Sequence, residues 1–140
     1  LWRNEKVDHA VTCRNLENYQ VHVTTDHHAW TIDEPGSVDG DDLGPNPFEA
    51  LLGSLGSCTL ITVYHYAAQQ EIPVEKLWTR VEGEWRGEGE EKTYHVHNTI
   101  HVRGDLSEQD LERLQRASLR CPVHGLLSEG AEIEVEVEAQ

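Results

Sequence analysis

Two cysteines stand in sequence surroundings that could make a thiol reactive, and the clearer case is Cys121. The residue before a proline avoids helical backbone angles, and proline suits the first position of a helix. Cys121 is therefore predicted to be the N-cap of a short helix that begins at Pro122. A thiolate there is stabilised by the exposed amide N–H groups and the helix dipole, and Arg120 and His124 could add positive charge. The alternative is that Cys121 caps the helix and does no chemistry.

The second cysteine, Cys58, lies in the middle of an apolar stretch that is predicted to form one long helix. Four poor helix formers surround it, and their small side chains would let another helix or a partner chain pack close: Gly53, Ser54, Gly56 and Ser57. Because the helix is apolar on every side, we expect it to be buried on every side. Cys58 is then either an inert buried thiol or one half of a redox pair with Cys121. The remaining cysteine, Cys13, is expected to be a spectator at the end of a strand.

A metal site is the competing chemistry. His95, His97 and His101 share one face of a predicted strand, and Cys121 with His124 forms a C-x-x-H pair. A zinc site needs about four ligands, usually from two tight pairs. The chain has 9 histidines, and alternate strand positions that face solvent account for these three. We therefore expect neither a metal nor another cofactor.

Helix and turn signals indicate how the long helix is placed. It is predicted to begin at Pro47, because Asn46 is a good N-cap and Glu49 completes a capping box, and to end between Glu71 and Pro73. A loop rich in Gly, Asp and Pro precedes it, and the stretch "CRNLEN" is the predicted turn between the first two strands.

The remaining pattern gives the order of the elements. Strand-like alternation occurs at residues 7–12, 19–25, 28–34, 76–86, 93–103 and 131–139, and further helices are predicted from Ser107 to about Leu119 and over "CPVHGLL". The order βββ-α-ββ-αα-β predicts an α+β fold, since helices do not alternate with strands one by one. A length of 140 residues suits a single domain over residues 1–140.

Charge and hydropathy argue against several classes of partner. A net charge of −15 disfavours nucleic acid and anionic membranes, because both would repel the protein. The apolar stretch 48–68 carries charged and hydroxyl residues and lacks the run of about 20 apolar residues that a membrane span needs. The opening "LWRNEKVDHAV" is too polar for a signal peptide. We expect a soluble, cytoplasmic protein with reduced thiols.

The stretch "GPNPFEALLGSLGSCT", taken together with "RCPVHG" further along the chain, resembles the osmotically inducible protein C (OsmC) and organic hydroperoxide resistance (Ohr) family. The resemblance extends over nearly the whole chain. It implies an intertwined homodimer with active sites at the subunit interface, and thiol peroxidase chemistry. It assigns Cys58 as the peroxidatic cysteine and Cys121 as the resolving one, joined in an intramolecular disulfide, with a small or lipoyl-type dithiol as reductant. Local reasoning reverses the order, because Cys121 has the better helix-terminus position.

In the best-studied branch of this family, an arginine from the first hairpin activates the thiol and a glutamate near the start of the long helix holds that arginine. Arg14 is the only arginine of the predicted first hairpin loop and is the candidate, with a solvated turn residue as the alternative. Glu49 follows one residue later than the family's glutamate, whose place is taken by Phe48. One residue is about 100° of helix rotation, which turns Glu49 away from Cys58. Its capping box explains Glu49 without catalysis, so the chain is closer to a general OsmC-like branch.

Two functions follow as hypotheses. The first is a thiol-dependent peroxidase that reduces organic hydroperoxides through a cysteine sulfenic acid and a disulfide. A dry pocket would favour a small uncharged alkyl hydroperoxide. The second is a non-enzymatic, stress-associated dimer or a small-ligand-binding protein with the same fold. Rapid loss of two thiols per chain on adding one equivalent of hydroperoxide would favour the first.

Overall fold

The computed structural model describes residues 9–140, and their helices and strands confirm the predicted α+β class. The elements are β1 (Thr12–Asn15), β2 (Val21–Thr24), β3 (Ala29–Ile32), α1 (Pro47–Gln69), β4 (Val74–Arg86), β5 (Thr93–Gly104), α2 (Glu108–Ser118) and α3 (Pro122–Glu129). Two compact units, Leu1–Gly53 and Ser54–Gln140, contain these elements, and each is described by itself. A single domain over the whole chain stays a prediction. No helix of residues 9–140 has both the length and the apolar character needed to cross a membrane.

The first unit holds an antiparallel sheet in the order β1-β2-β3. Its first strand was expected at residues 7–12, of which 7 and 8 lie outside the described residues, but it runs over Thr12–Asn15. Arg14 was expected in the turn and instead lies on β1, paired with His22. The turn forms further on, where the Leu16 N–H donates to the Gln20 carbonyl at 2.9 Å. Ladder hydrogen bonds to β2 thus outweigh the turn propensity of "CRNLEN".

The start of α1 forms as predicted, and its end differs by a small amount. The Asn46 side chain accepts the Glu49 N–H at 2.8 Å, and the Glu49 carboxylate accepts the Asn46 N–H at 3.1 Å, which completes the capping box. The helix ends at Gln69 because Glu71 takes a left-handed conformation with φ of 53°. Ile72 N–H then donates back to the Ala67 carbonyl at 2.9 Å, as in a Schellman motif.

The second unit is built on the antiparallel hairpin of β4 and β5. Helix α2 and the C-terminal part of α1 pack against this hairpin. The main core cluster comprises Val63, Ala67, Ile72 and Leu114, with Leu77, Ile100 and Val102 packed against it. Close approach explains one of the small residues of α1. A Cβ on Gly56 would lie 3.0 Å from Val81 Cγ2 and 3.1 Å from Thr79 Cγ2, so the helix touches β4 at this position.

The expectation that α1 is buried all round is wrong for the single chain. One face is buried, but Ile61 and Tyr64 on the opposite face are exposed. The reason is the number of elements available. The core cluster that covers the later part of α1 comes from the hairpin and α2, which lie on one side of the helix.

The predicted closing strand also does not form. Residues 130–140 carry neither helix nor strand, although the alternation of Ile133, Val135 and Val137 with glutamates is strict. These three side chains are 82%, 83% and 95% exposed. A strand needs a neighbour with unpaired backbone groups, and no strand of the described residues pairs with this segment.

Candidate active site

The structure brings two of the three thiols together in the second unit. Cys58 and Cys121 form a buried cluster with Leu55, and Val81 and Val123 pack against it. Cys58 is 9% exposed and Cys121 is 1% exposed, so both sulfurs lie in a largely apolar setting. Both are free thiols. Cys13, by contrast, lies exposed on β1.

Cys121 occupies the N-cap position of α3, as the sequence predicted. Its backbone lies outside the helix, with φ of −58° and ψ of 121°, and Pro122 begins the helix. The Cys121 sulfur accepts the His124 backbone N–H at 3.4 Å. A cap of this kind satisfies one of the amide groups that have no partner within the helix.

The sequence did not indicate that Cys58 would use the same helix terminus. The backbone N–H of Val123, in the first turn of α3, hydrogen-bonds to the Cys58 sulfur. The first turn of α3 therefore directs one amide at each sulfur, and its dipole favours negative charge on either one. Local pattern could identify Cys121 as a cap, but the contact to Cys58 depends on how α1 and α3 pack.

The balance of effects on the Cys58 sulfur disfavours its ionised form. Burial raises the pKa of the Cys58 thiol and is the largest influence, while the Val123 N–H lowers it. The neighbouring Cys121 raises this pKa both by its hydrogen bond and by its charge, and the Thr62 hydroxyl lowers it. The pKa of Cys58 is raised overall. Thiolate chemistry at this sulfur thus calls for additional positive charge.

The sequence suggested three cationic residues that could activate a thiol, and the structure places each of them in a different setting. Arg14 lies exposed on β1, and its pairing with Cys58 stays a prediction. The Arg120 guanidinium lies 5.9 Å from the centre of the Tyr66 ring, at a cation–π distance. His124 is exposed, and its backbone N–H donates to the Cys121 sulfur.

Glu49 has the position that its capping role requires. Its carboxylate Oε1 accepts the Asn46 N–H at the start of α1. This hydrogen bond explains Glu49 as a helix-capping residue. A role for Glu49 in holding an arginine stays a prediction.

A small cavity adjoins the thiol cluster through Leu55. Its volume is about 250 Å³, and its other lining residues are Tyr94, Val96, Asn98, His124, Leu127 and Ser128. Leu55, Val96 and Leu127 give the cavity an apolar part, and Asn98, His124 and Ser128 give it a polar part of similar size. Such a lining suits a small uncharged organic molecule.

The histidines of β5 do not form a metal centre in the structure. Among residues 9–140, no three or more His, Cys, Asp or Glu side chains come together in an arrangement that could hold a metal ion. His101 stacks on Trp78, with ring centres 5.0 Å apart. His95 and His97 lie opposite Glu84 and Glu82 in the hairpin register.

Comparison with known proteins yields one family and a set of similar folds. The sequence model of the OsmC-like protein family matches residues 40–136. An OsmC-like protein from Mycoplasma pneumoniae has a TM-score of 0.77 at 22% identity, covering 89% of this chain and 89% of that one. An organic hydroperoxide resistance protein OsmC from Legionella pneumophila has a TM-score of 0.68 at 19% identity, covering 87% and 91%.

A third similar structure is an organic hydroperoxide resistance protein from Elizabethkingia anophelis. It has a TM-score of 0.65 at 15% identity and covers 86% of this chain and 89% of that one. The TM-scores of these three structures show a shared fold, and at identities of 15–22% the likeness shows the fold alone. No curated protein matches the chain.

Proposed function

This chain belongs to the OsmC-like protein family, and from that premise we propose that it is a thiol-dependent peroxidase that reduces organic hydroperoxides. The observation that carries the proposal is the meeting of two buried free thiols at one helix N-terminus. Two similar structures are named as organic hydroperoxide resistance proteins, which agrees with it.

The proposed reaction begins at Cys58, because this residue is less buried than Cys121 and Leu55 links its cluster to the cavity. The Cys58 thiolate attacks the terminal oxygen of the hydroperoxide and supplies two electrons. The O–O bond breaks, and the alkoxide takes a proton and leaves as the alcohol. Cys58 is then a sulfenic acid.

Cys121 completes the cycle as the resolving thiol. Its sulfur attacks the sulfenic sulfur of Cys58, a disulfide forms and water leaves. An external dithiol, small or of the lipoyl type, then reduces this disulfide and is itself oxidised to a disulfide. A cycle that depends on re-reduction fits a reducing compartment, so we expect the protein in the cytoplasm.

The cavity favours an uncharged alkyl hydroperoxide as substrate. A volume of about 250 Å³ admits a small organic group. The net charge of −15 disfavours anionic substrates such as ionised peroxy acids. The alkyl group would displace water from the apolar part of the lining.

The direct test is to count thiols after adding one equivalent of tert-butyl hydroperoxide to reduced protein. We expect two thiols per chain to disappear within seconds, leaving Cys13. In a Cys13→Ser control, both remaining thiols should disappear, which excludes Cys13 as their source. Persistence of all thiols over minutes would contradict the proposal.

The second candidate is a non-enzymatic protein that binds a small apolar ligand. The raised pKa of Cys58 favours it, since a buried protonated thiol is a poor nucleophile. Saturable binding of an apolar fluorescent probe, blocked by enlarging Val96 to Trp and accompanied by no thiol loss with hydroperoxide, would support this candidate.

We further propose that the protein acts as a homodimer. The exposed apolar residues Ile61 and Tyr64 of α1, and the unpaired alternating segment around Val135, are surfaces that a second copy would cover. Sedimentation at micromolar concentration should show a dimer. Val135→Asp should weaken it, while Glu136→Gln on the polar face of the same segment should not. A monomer in the unsubstituted protein would overturn the proposal.

A further inference from the structure

One hydroxyl close to the thiols has no role in the scheme above. Thr62 lies one turn after Cys58 in α1 and is half-buried. Helical side chains lean toward the N-terminus, so the side chain at position i+4 lies over position i. The Thr62 Oγ1 accordingly donates to the Cys58 carbonyl oxygen at 2.8 Å.

The same hydroxyl is within hydrogen-bonding reach of the Cys58 sulfur. A hydroxyl has one proton and donates to one acceptor at a time. The Cys58 carbonyl is already the acceptor for the backbone N–H four residues later in α1. The bond from Thr62 to this carbonyl is therefore an additional one, and its loss would not leave the carbonyl without a partner.

We propose that Thr62 is a catalytic hydrogen-bond donor, whose hydroxyl turns from the Cys58 carbonyl to the Cys58 sulfur when the thiol ionises. A thiol is a weak acceptor, whereas a thiolate is charged and forms a stronger hydrogen bond. The sulfur then has two donors from two elements, the Thr62 hydroxyl from α1 and the Val123 amide from α3. The inference rests on the proposed function only for the use that the protein makes of a reactive Cys58. The reactivity of the Cys58 sulfur itself can be measured without peroxide.

A comparison within the same helix shows what the geometry alone provides. Thr59 makes the same kind of bond, from its Oγ1 to the Leu55 carbonyl at 2.8 Å, and its oxygen also accepts the Asn98 amide at 3.1 Å. The Thr59 hydroxyl therefore links α1 to β5 through its hydrogen bond with Asn98. The hydroxyl of Thr62, whose neighbour is the Cys58 sulfur, has a second acceptor to which its proton can turn.

The test uses protein in which Cys58 is the only thiol, with Cys13→Ser and Cys121→Ser as the background. Cys121 is the titratable group that acts on the Cys58 sulfur in the second unit, and Arg14 is the proposed cation. The background removes Cys121, and every variant contains Arg14, so neither group can cause a difference between the variants. Serine at position 121 also keeps the N-cap of α3. The pKa of Cys58 is read from the pH dependence of its alkylation by iodoacetamide.

Thr62→Val keeps the shape of the side chain and removes the hydroxyl. We expect it to raise the pKa of Cys58 by about one unit, which lowers the thiolate fraction at pH 7 about tenfold. Thr62→Ser keeps the hydroxyl and should have the pKa of the background. Thr62→Ala provides a second deletion of the hydroxyl if the valine variant does not fold.

Two results would overturn the inference. One is an unchanged pKa in folded Thr62→Val or Thr62→Ala protein. The other is a serine variant that shifts as far as the valine variant, which would assign the effect to packing of the Thr62 methyl group. Failure of the proposed function is a separate result, since it would appear as thiols that alkylate normally and do not react with hydroperoxide.

Discussion

Cys58→Ser should abolish the reaction of the protein with organic hydroperoxide, whereas Cys121→Ser should react once and stop at a sulfenic acid on Cys58. A serine hydroxyl is not a nucleophile at neutral pH without an activating base, so the first variant loses the attacking group. The second variant keeps the attacking sulfur and lacks the thiol that would condense with its sulfenic acid. We expect loss of activity by several orders of magnitude in the first case.

The measurement is mass spectrometric mapping of a dimedone adduct, with both variants made in a Cys13→Ser background. The adduct should map to Cys58 in the Cys121→Ser protein, and longer exposure to hydroperoxide should convert this cysteine to the sulfinic acid. An adduct on Cys121 in the Cys58→Ser protein would reverse the two roles. No adduct in either folded variant would exclude the peroxidase and leave the ligand-binding alternative.

In the structure, the N-terminus of α3 acts on both thiols and no longer favours Cys121 alone. From sequence alone, the N-terminus of the third helix favoured Cys121, because the cap residue and its proline are adjacent in the chain. In the structure, one amide of that turn goes to each sulfur, so the dipole favours a thiolate on Cys58 as well. Accessibility then distinguishes the two thiols, and Cys58 is the more accessible one.

The features that the sequence predicted well are those fixed by neighbours within three or four residues. The capping box of Asn46 with Glu49 formed at the expected residues, and the helix predicted from Ser107 begins there with a second box between Ser107 and Asp110, because each box is a local exchange of hydrogen bonds. The N-cap role of Cys121 belongs to the same group. The stop of α1 was predicted less well, since the left-handed position is held by Glu71 and not by the usual glycine.

What the sequence could not give depends on partners far away in the chain. The limits of β1 follow from its register with β2, and the Val123 amide reaches Cys58 only because α1 and α3 pack together. The closing strand is an instructive failure, because alternation alone does not make a strand: its backbone needs a neighbouring strand, and none of those in residues 9–140 pairs with this segment. The same reasoning explains the exposed side of α1.

Arg14→Ala should raise the pKa of the Cys58 thiol and slow its reaction with hydroperoxide, if Arg14 is the activating cation. Burial raises the pKa of Cys58, and the amide of Val123 offsets this only in part. A nearby cation would therefore have a large effect in lowering this pKa. A guanidinium about 4–6 Å away lowers such a pKa by about 1–3 units. Its removal should therefore lower the thiolate fraction at pH 7 by about tenfold to a thousandfold.

The pH dependence of iodoacetamide alkylation measures this shift, in a Cys13→Ser/Cys121→Ser background that leaves Cys58 as the single thiol. Arg80→Ala is the matched control, because Arg80 forms an exposed ion pair with Glu82 at 3.1 Å and its loss changes the net charge equally. A shift in both variants would indicate a general charge effect, which added salt would screen. An unchanged profile in Arg14→Ala would assign activation to Arg120 or His124, to be tested by Arg120→Ala and His124→Ala.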